Sequence, residues 1–143
     1  MLCPVKEKPE CSILVNDIRN YEDFYNKYNV EDVEKEELLE RADIVTLHVP
    51  LDQSTQNMLS IKRLALMKKN AILINVARGG LVDEIALKNM LLNNRLAGAA
   101  FDVFLVEPPQ DQELLSLPNL GHAKLFVMLP FHGPLAGRYV RNL

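Results

Sequence analysis

Residues 44–50, with the sequence IVTLHVP, form the most informative segment of this chain. Their continuous apolar and β-branched side chains predict a strand that is buried on both faces, as in parallel sheets. Pro50 ends this strand because proline has no backbone N–H to donate to a neighbouring strand. The run AILIN at residues 71–75 has the same character and predicts a second buried strand.

Similar runs recur along the chain and alternate with helical patterns. The predicted strands are 13–15, a weak extended segment at 30–33, 44–49, 71–75 and 97–103. The predicted helices are 36–42, 61–67 and a helix that Asp83 caps and that ends at residue 93. This alternation predicts an α/β protein with a doubly wound parallel sheet.

The composition excludes several classes of protein. The 143 residues suffice for one domain with its own core. Lys and Arg number 16 against 19 Asp and Glu and form no basic block, which argues against a nucleic-acid surface. The longest apolar run, 125–130, is too short to span a membrane, and residues 1–10 do not resemble a signal peptide. Two cysteines indicate neither a disulfide framework nor a metal site, so we expect a soluble cytoplasmic domain without metal.

Ligands of doubly wound sheets bind beyond the carboxyl ends of the strands. Asp17 follows a predicted strand, where its carboxylate can accept two hydrogen bonds from a ribose diol and favour NAD over NADP, or simply cap a turn. Arg78 precedes two glycines, and it either binds a carboxylate through two parallel hydrogen bonds or is a surface arginine on an ordinary turn. Asp102 either binds a carboxamide or caps the end of its strand.

Glu107 precedes two prolines and therefore lies on a stiff loop. A carboxylate fixed there can orient a histidine for acid-base chemistry, whereas without a histidine partner it is a solvated loop residue. His48 is predicted to be a structural residue at a buried strand end. His122 and His132 can each pair with Glu107, and their spacing favours neither.

Three longer stretches together resemble the signatures of the D-isomer-specific 2-hydroxyacid dehydrogenases. These stretches are LLERADIVTLHVPL at 38–51 with Thr55 and Met58 after it; Met67-Lys68 and AILINVARGGLVDE at 71–84; and AGAAFDVF at 97–104 with Glu107-Pro108 and Leu117-Pro118-Asn119 after it. The resemblance covers residues 13–120 in the family's order and spacing, and the most similar subgroup is the phosphoglycerate dehydrogenases. It implies a Rossmann-like fold, NAD as the cofactor, and hydride transfer between NAD and a 2-hydroxy acid.

The resemblance also implies roles for individual residues. Asp17 would bind the adenosine ribose, and Ala77 and Asp102 would lie near the nicotinamide. The residues expected along the adenine side are His48, Val49, Pro50 and Thr55. Arg78 would lie beside the cofactor and hold the carboxylate and carbonyl of the substrate. Glu107 would support the catalytic histidine, for which His132 is the candidate.

The chain departs from the family at three points. No three of its six glycines form Gly-x-Gly-x-x-Gly, so the family's first strand and glycine loop are absent and the sheet is predicted to be incomplete. The family's substrate-binding domain is absent as well. The family's Pro-His-x-Gly motif lies about six residues beyond the Pro-Asn pair, where this chain has Leu125, and the nearest echo is Pro130-Phe131-His132-Gly133. We therefore predict a tail at 1–11, a partial dinucleotide-binding domain at 12–120 and a divergent segment at 121–143.

The missing strand has a structural consequence. In the strand order 3-2-1-4-5-6 it lies in the middle, between the strands at Ile13 and Ile44. Without it, both neighbours would expose unpaired backbone groups. The run 124–129 or a second subunit could fill this place, so we expect a homo-oligomer or a rearranged fold.

The sequence thus predicts the NAD-binding portion of an oxidoreductase acting on a small 2-hydroxy or 2-oxo acid. Without the glycine loop and a positioned histidine, the isolated chain is expected to be a weak or inactive enzyme. The alternative is a non-catalytic interaction module, such as a truncated paralogue that pairs with a full-length dehydrogenase through its open sheet.

Overall fold

A computed structural model describes residues 11–122 and 139–140 of the chain. The strands are β1 (Ile13–Val15), β2 (Val30–Asp32), β3 (Ile44–Leu47), β4 (Ile72–Asn75), β5 (Gly98–Phe101), β6 (Leu120–His122) and β7 (Tyr139–Val140). The helices are α1 (Glu22–Tyr28), α2 (Lys35–Arg41), α3 (Ile61–Leu64), α4 (Glu84–Leu92) and α5 (Gln112–Leu115). Strands and helices alternate as predicted, and the additional helices α1 and α5 occupy stretches for which the sequence predicted none.

All seven described strands form one sheet in the order β2-β1-β7-β3-β4-β5-β6. Every neighbouring pair is parallel. Leaving β7 aside, this is the predicted order, with the two halves of the chain running outward from the centre. The predicted α/β class with a doubly wound parallel sheet is therefore confirmed.

The central place in the sheet is occupied by β7, from the far end of the chain. Tyr139 pairs with Ile13 on one side and Ile44 on the other, and Val140 pairs with Leu14. The predicted central gap is thus occupied by a segment of this chain, over the two described residues of β7. The run 124–129, which was one predicted occupant of the gap, lies outside the described residues.

The core lies on both faces of the sheet, as the apolar strand sequences require. In β3, Val45 and Leu47 are buried, and the hydroxyl-bearing Thr46 between them is only 4% exposed. Helix α4 packs Leu87 and Leu91 into the core on one side. Its N-terminus is capped as predicted, because the Asp83 carboxylate accepts a hydrogen bond from the backbone N–H of Ala86 at 3.0 Å.

Replacing Val140 by proline is expected to lower the free energy of unfolding by about 2 kcal/mol, because proline supplies no N–H to a central strand. Urea unfolding measures this loss. Val140→Thr is the matched control, since threonine keeps both the backbone N–H and the β-branched shape. Equal unfolding midpoints for the two variants would show that β7 does not complete the sheet.

Candidate functional site

A cavity of about 530 Å³ opens beyond the carboxyl ends of β1 and β3. Its volume lies in the range of small-molecule sites. Its lining includes all five residues that the resemblance places around adenosine: Asp17, His48, Val49, Pro50 and Thr55. Residues that are scattered over 39 positions of sequence, from 17 to 55, therefore meet around one cavity.

Asp17 is half-buried at the rim of this cavity, just after β1. One of its carboxylate oxygens, Oδ1, accepts a hydrogen bond from the backbone N–H of Arg19 at 2.9 Å. The carboxylate therefore caps its own turn, which was the alternative interpretation of this residue. The hydrogen bond from Arg19 also restrains the Asp17 carboxylate. Asp17 lines the same cavity as the other predicted residues.

His48 follows the end of β3 at Leu47, and its ring lies 3.0 Å (Nε2) from the hydroxyl of Thr46. The prediction of a buried strand-end histidine is wrong about burial, because His48 is exposed. The strand ends at Leu47, two residues earlier than the predicted range of 44–49. The histidine consequently belongs to the rim of the cavity.

The turn at residues 50–55 also lines this cavity, and it is fixed by a hydrogen-bond network around Asp52. Its carboxylate accepts hydrogen bonds from the backbone N–H and the hydroxyl of Ser54, at 2.7 and 2.6 Å, and from the N–H of Thr55 at 3.1 Å. The hydrogen bonds from Ser54 and Thr55 hold the pKa of Asp52 below its usual value. The Thr55 hydroxyl donates to the carbonyl of Pro50 at 2.7 Å and closes the turn.

Sequence reasoning assigned no role to several residues of this cavity. Asp52 could have been found, because Asp-x-Ser-Thr after a proline-terminated strand is typical of a turn closed by side chains. Arg19 and Lys35 bring positive charge to the same cavity as Asp17. Lys35 begins α2, and no sequence signal connects it with a site beyond β1.

The second group of predicted residues lies beyond β4 and β5. Asn75, at the end of β4, is 1% exposed, and its amide holds the following turn by two hydrogen bonds. It donates to the carbonyl of Arg78 at 2.9 Å and accepts from the N–H of Ala77 at 3.2 Å. Arg78 itself is exposed, and its guanidinium donates to the carbonyl of Ala77 at 2.6 Å.

The loop after β5 packs against this turn. A Cβ on Gly79 would lie 1.8 Å from the carbonyl oxygen of Phe104, so only glycine fits there. Gly80 has a φ of +83°, a backbone conformation that favours glycine. The glycine pair therefore allows the turn and the loop after β5 to approach each other closely.

Glu107 lies on the loop after β5, and its carboxylate accepts a hydrogen bond from the backbone N–H of Phe104 at 2.7 Å. Asp102 is exposed at the end of β5, and its N–H donates to the carbonyl of Asn75 at 3.1 Å. His132 lies outside the described residues, and of His122 only the backbone in β6 is described. The pairing of Glu107 with a histidine thus stays a prediction.

A third acidic residue, Glu84 at the start of α4, was not singled out by the sequence. Its carboxylate is half-buried and accepts a hydrogen bond from the backbone N–H of Leu105 at 2.6 Å. Burial raises the pKa of Glu84, and the nearby negative charges of Glu107 and Asp111 add to this effect.

Asp17, Arg78 and Glu107 follow β1, β4 and β5. Because these strands run parallel in one sheet, the three residues lie at the same edge.

Within residues 11–122 and 139–140, no group of three or more His, Cys, Asp or Glu is placed to bind a metal ion. The described part of the chain also has no helix with the length and apolar character needed to cross a membrane.

The sequence profile of the family described as "D-isomer specific 2-hydroxyacid dehydrogenase, NAD binding domain" matches residues 6–127. The chain belongs to this family. The predicted family, its Rossmann-like fold and NAD as its cofactor are thereby confirmed.

Among curated relatives, this chain is 52% identical over 84 residues to D-3-phosphoglycerate dehydrogenase of Methanocaldococcus jannaschii, covering 59% of this chain and 16% of the relative. It is 46% identical over 109 residues to glyoxylate reductase of Korarchaeum cryptofilum, covering 76% of this chain and 33% of the relative. The chain therefore spans a third or less of the length of these relatives.

Solved structures show the same relationship. D-lactate dehydrogenase with NAD⁺ from Lactobacillus jensenii superimposes with a TM-score of 0.70 at 33% identity, covering 78% of this chain and 37% of that one. The NAD-complexed D-isomer specific 2-hydroxyacid dehydrogenase from Lactobacillus delbrueckii superimposes with a TM-score of 0.68 at 34% identity. The match covers 78% of this chain and 38% of that one.

Proposed function

We propose that this dehydrogenase domain binds NAD with its adenosine moiety in the cavity beyond β1 and β3. The observation that carries the proposal is the convergence of Asp17, His48, Val49, Pro50 and Thr55 on that cavity. Asp17 would accept hydrogen bonds from the ribose hydroxyls, which suits NAD better than a 2′-phosphorylated cofactor. Val49 and Pro50 would contact the flat face of the adenine.

The reaction we propose is hydride transfer between NAD and a small 2-hydroxy or 2-oxo acid. NAD, when bound, supplies the acceptor or donor of the hydride. Arg78 would hold the substrate carboxylate through two parallel hydrogen bonds, and Ala77 and Asp102 would border the nicotinamide. Glu107 would orient His132, which would take up or release the hydroxyl proton.

We further propose that this chain alone is a weak or inactive enzyme. Its sequence has no Gly-x-Gly-x-x-Gly, so it offers no glycine loop against which the cofactor pyrophosphate can pack. The catalytic histidine candidate is also displaced from the family's position. A cytoplasmic location is part of the same proposal, because the two cysteines form no disulfide framework.

A second candidate function is pairing with another chain, either a copy of itself or a full-length dehydrogenase. The observation that favours it is that, among the described residues, β7 pairs with two residues of β1 and one of β3. Strand β3 continues beyond that pairing to Leu47. Light scattering of the purified chain decides between a homo-oligomer and a monomer, and co-purification with a larger homologue would support the non-catalytic alternative.

Replacing Asp17 by alanine is expected to weaken NADH binding about tenfold, because hydrogen bonds to a charged carboxylate are lost. A titration followed by NADH fluorescence measures the affinity. Asp17→Asn should lose less, since its amide oxygen can still accept a hydrogen bond. Asp23→Ala, which removes an exposed carboxylate of α1, is the control and should bind as the wild type does. Unchanged affinity in Asp17→Ala, or no binding by the wild type, would contradict the proposal.

A further inference from the structure

Two consecutive backbone amides on the loop after β5 donate to two different carboxylates. The N–H of Phe104 donates to Glu107, which lies on the same loop, at 2.7 Å. The N–H of Leu105 donates to Glu84, which lies 21 residues earlier at the start of α4, at 2.6 Å. The second bond therefore crosses from one structural element to another.

The same loop is packed against the turn that carries Arg78. The backbone of Gly79 touches the carbonyl of Phe104 so closely that a Cβ would overlap it, and Gly80 lies beside the side chain of Leu105. Glu84 begins the helix that follows this turn. The turn thus contributes glycine backbone to its contact with the loop after β5. The Glu84 carboxylate accepts the hydrogen bond that joins this loop to α4.

We propose that Glu84 is a positioning residue. It holds the loop after β5, which carries Glu107 (the Glu107 loop), against the turn after β4, which carries Arg78 (the Arg78 turn). The proposal rests on the proposed function, in which Arg78 holds the substrate and Glu107 orients the proton-transferring histidine. The separation of these two groups then depends on the hydrogen bond between Glu84 and Leu105. A displacement of the Glu107 loop by about 1 Å is enough to lower a rate strongly in a site of this kind.

The conformational part of the proposal is tested by amide hydrogen exchange on the whole chain. In Glu84→Ala, the Phe104 and Leu105 amides should exchange at least about tenfold faster than in the wild type, because the loop loses its connection to α4. Glu84→Gln should restore slow exchange, since its side-chain carbonyl still accepts a hydrogen bond. Glu36→Ala removes an acidic residue from the first turn of α2, where it pairs with Arg63, and should leave both amides unchanged.

The functional part is tested by NADH affinity and by turnover of hydroxypyruvate. Positioning predicts that Glu84→Ala lowers kcat about tenfold or more, with NADH affinity and the unfolding temperature nearly unchanged, and that Glu84→Gln recovers most of kcat. A merely structural role would instead lower the unfolding temperature and weaken NADH binding together.

Wild-type exchange rates at Phe104 and Leu105 in Glu84→Ala would overturn the proposal, as would equal losses in the alanine and glutamine variants. If the wild-type chain does not bind NADH, the proposed function fails, whereas a lack of hydroxypyruvate turnover alone agrees with the weak or inactive enzyme proposed above. The exchange comparison still decides in that case whether Glu84 connects the two loops.

Discussion

Gly79→Ala is expected to lower the free energy of unfolding by about 3 kcal/mol. The new Cβ would lie 1.8 Å from the carbonyl oxygen and 2.2 Å from the carbonyl carbon of Phe104. Both are backbone atoms, so no side chain can rotate away, and the two loops must separate to relieve the overlap. That separation would also move Glu107 away from Arg78.

Urea unfolding of the Gly79 variant gives the free-energy change, and Gly98→Ala is its matched control. A Cβ on Gly98 would lie 3.1 Å from the carbonyl oxygen of Asn119, which a small shift relieves. We expect a change below about 1 kcal/mol for this control. If the two variants lose equal stability, the close approach of the Gly79 turn and the Phe104 loop does not exist in solution.

Asn75→Ala is expected to cost about 2–4 kcal/mol of folding free energy. The side chain is 1% exposed and satisfies the carbonyl of Arg78 and the N–H of Ala77. Alanine would leave both backbone groups without these partners, and it would release the turn that carries Arg78.

Chemical denaturation also measures the loss of folding free energy in Asn75→Ala. Asn93→Ala is the control, because Asn93 makes a comparable hydrogen bond to the carbonyl of Asn89, at 2.7 Å, but is exposed to water. Its loss should stay below about 1 kcal/mol, since water replaces the missing partner. A loss for Asn75→Ala no greater than that for Asn93→Ala would mean that Asn75 does not fix the turn.

The sequence predicted the strands well where burial on both faces leaves a continuous apolar run. β3 and β4 are of this kind, and both lie inside the predicted ranges. Helix α1 was missed because only Tyr25 of its seven residues is buried, so it has no apolar stripe to give a helical period. Its end is marked by Asn29, whose left-handed conformation a sequence pattern does not reveal.

The position of β7 could not be predicted from local pattern. Two residues give no periodicity, and their partners Ile13 and Ile44 lie far away along the chain. The order of the other strands predicted that a strand must lie between β1 and β3. Tertiary packing determines which segment of the chain forms that strand. The described sheet also continues past residue 120, through β6.

Five residues of the cavity beyond β1 and β3 could be predicted to lie together because the resemblance places them at or after strand ends. The structure adds the hydrogen bonds that hold these residues in place, which a sequence motif does not show. Asp52 and Asn75 accept hydrogen bonds from the backbone N–H groups of the predicted residues Thr55 and Ala77. Glu84 reaches a loop that is distant in sequence, and no local signal marks such a contact.

Amide chemical shifts of ¹⁵N-labelled protein during a titration with NADH locate the cofactor site residue by residue. Binding in the cavity beyond β1 and β3 predicts shifts at Asp17, Val49 and Thr55, while the amides of Lys62 and Arg95, which lie outside that cavity, stay unchanged. A titration without shifts, or with shifts confined to residues outside the cavity, would contradict an NAD site beyond β1 and β3.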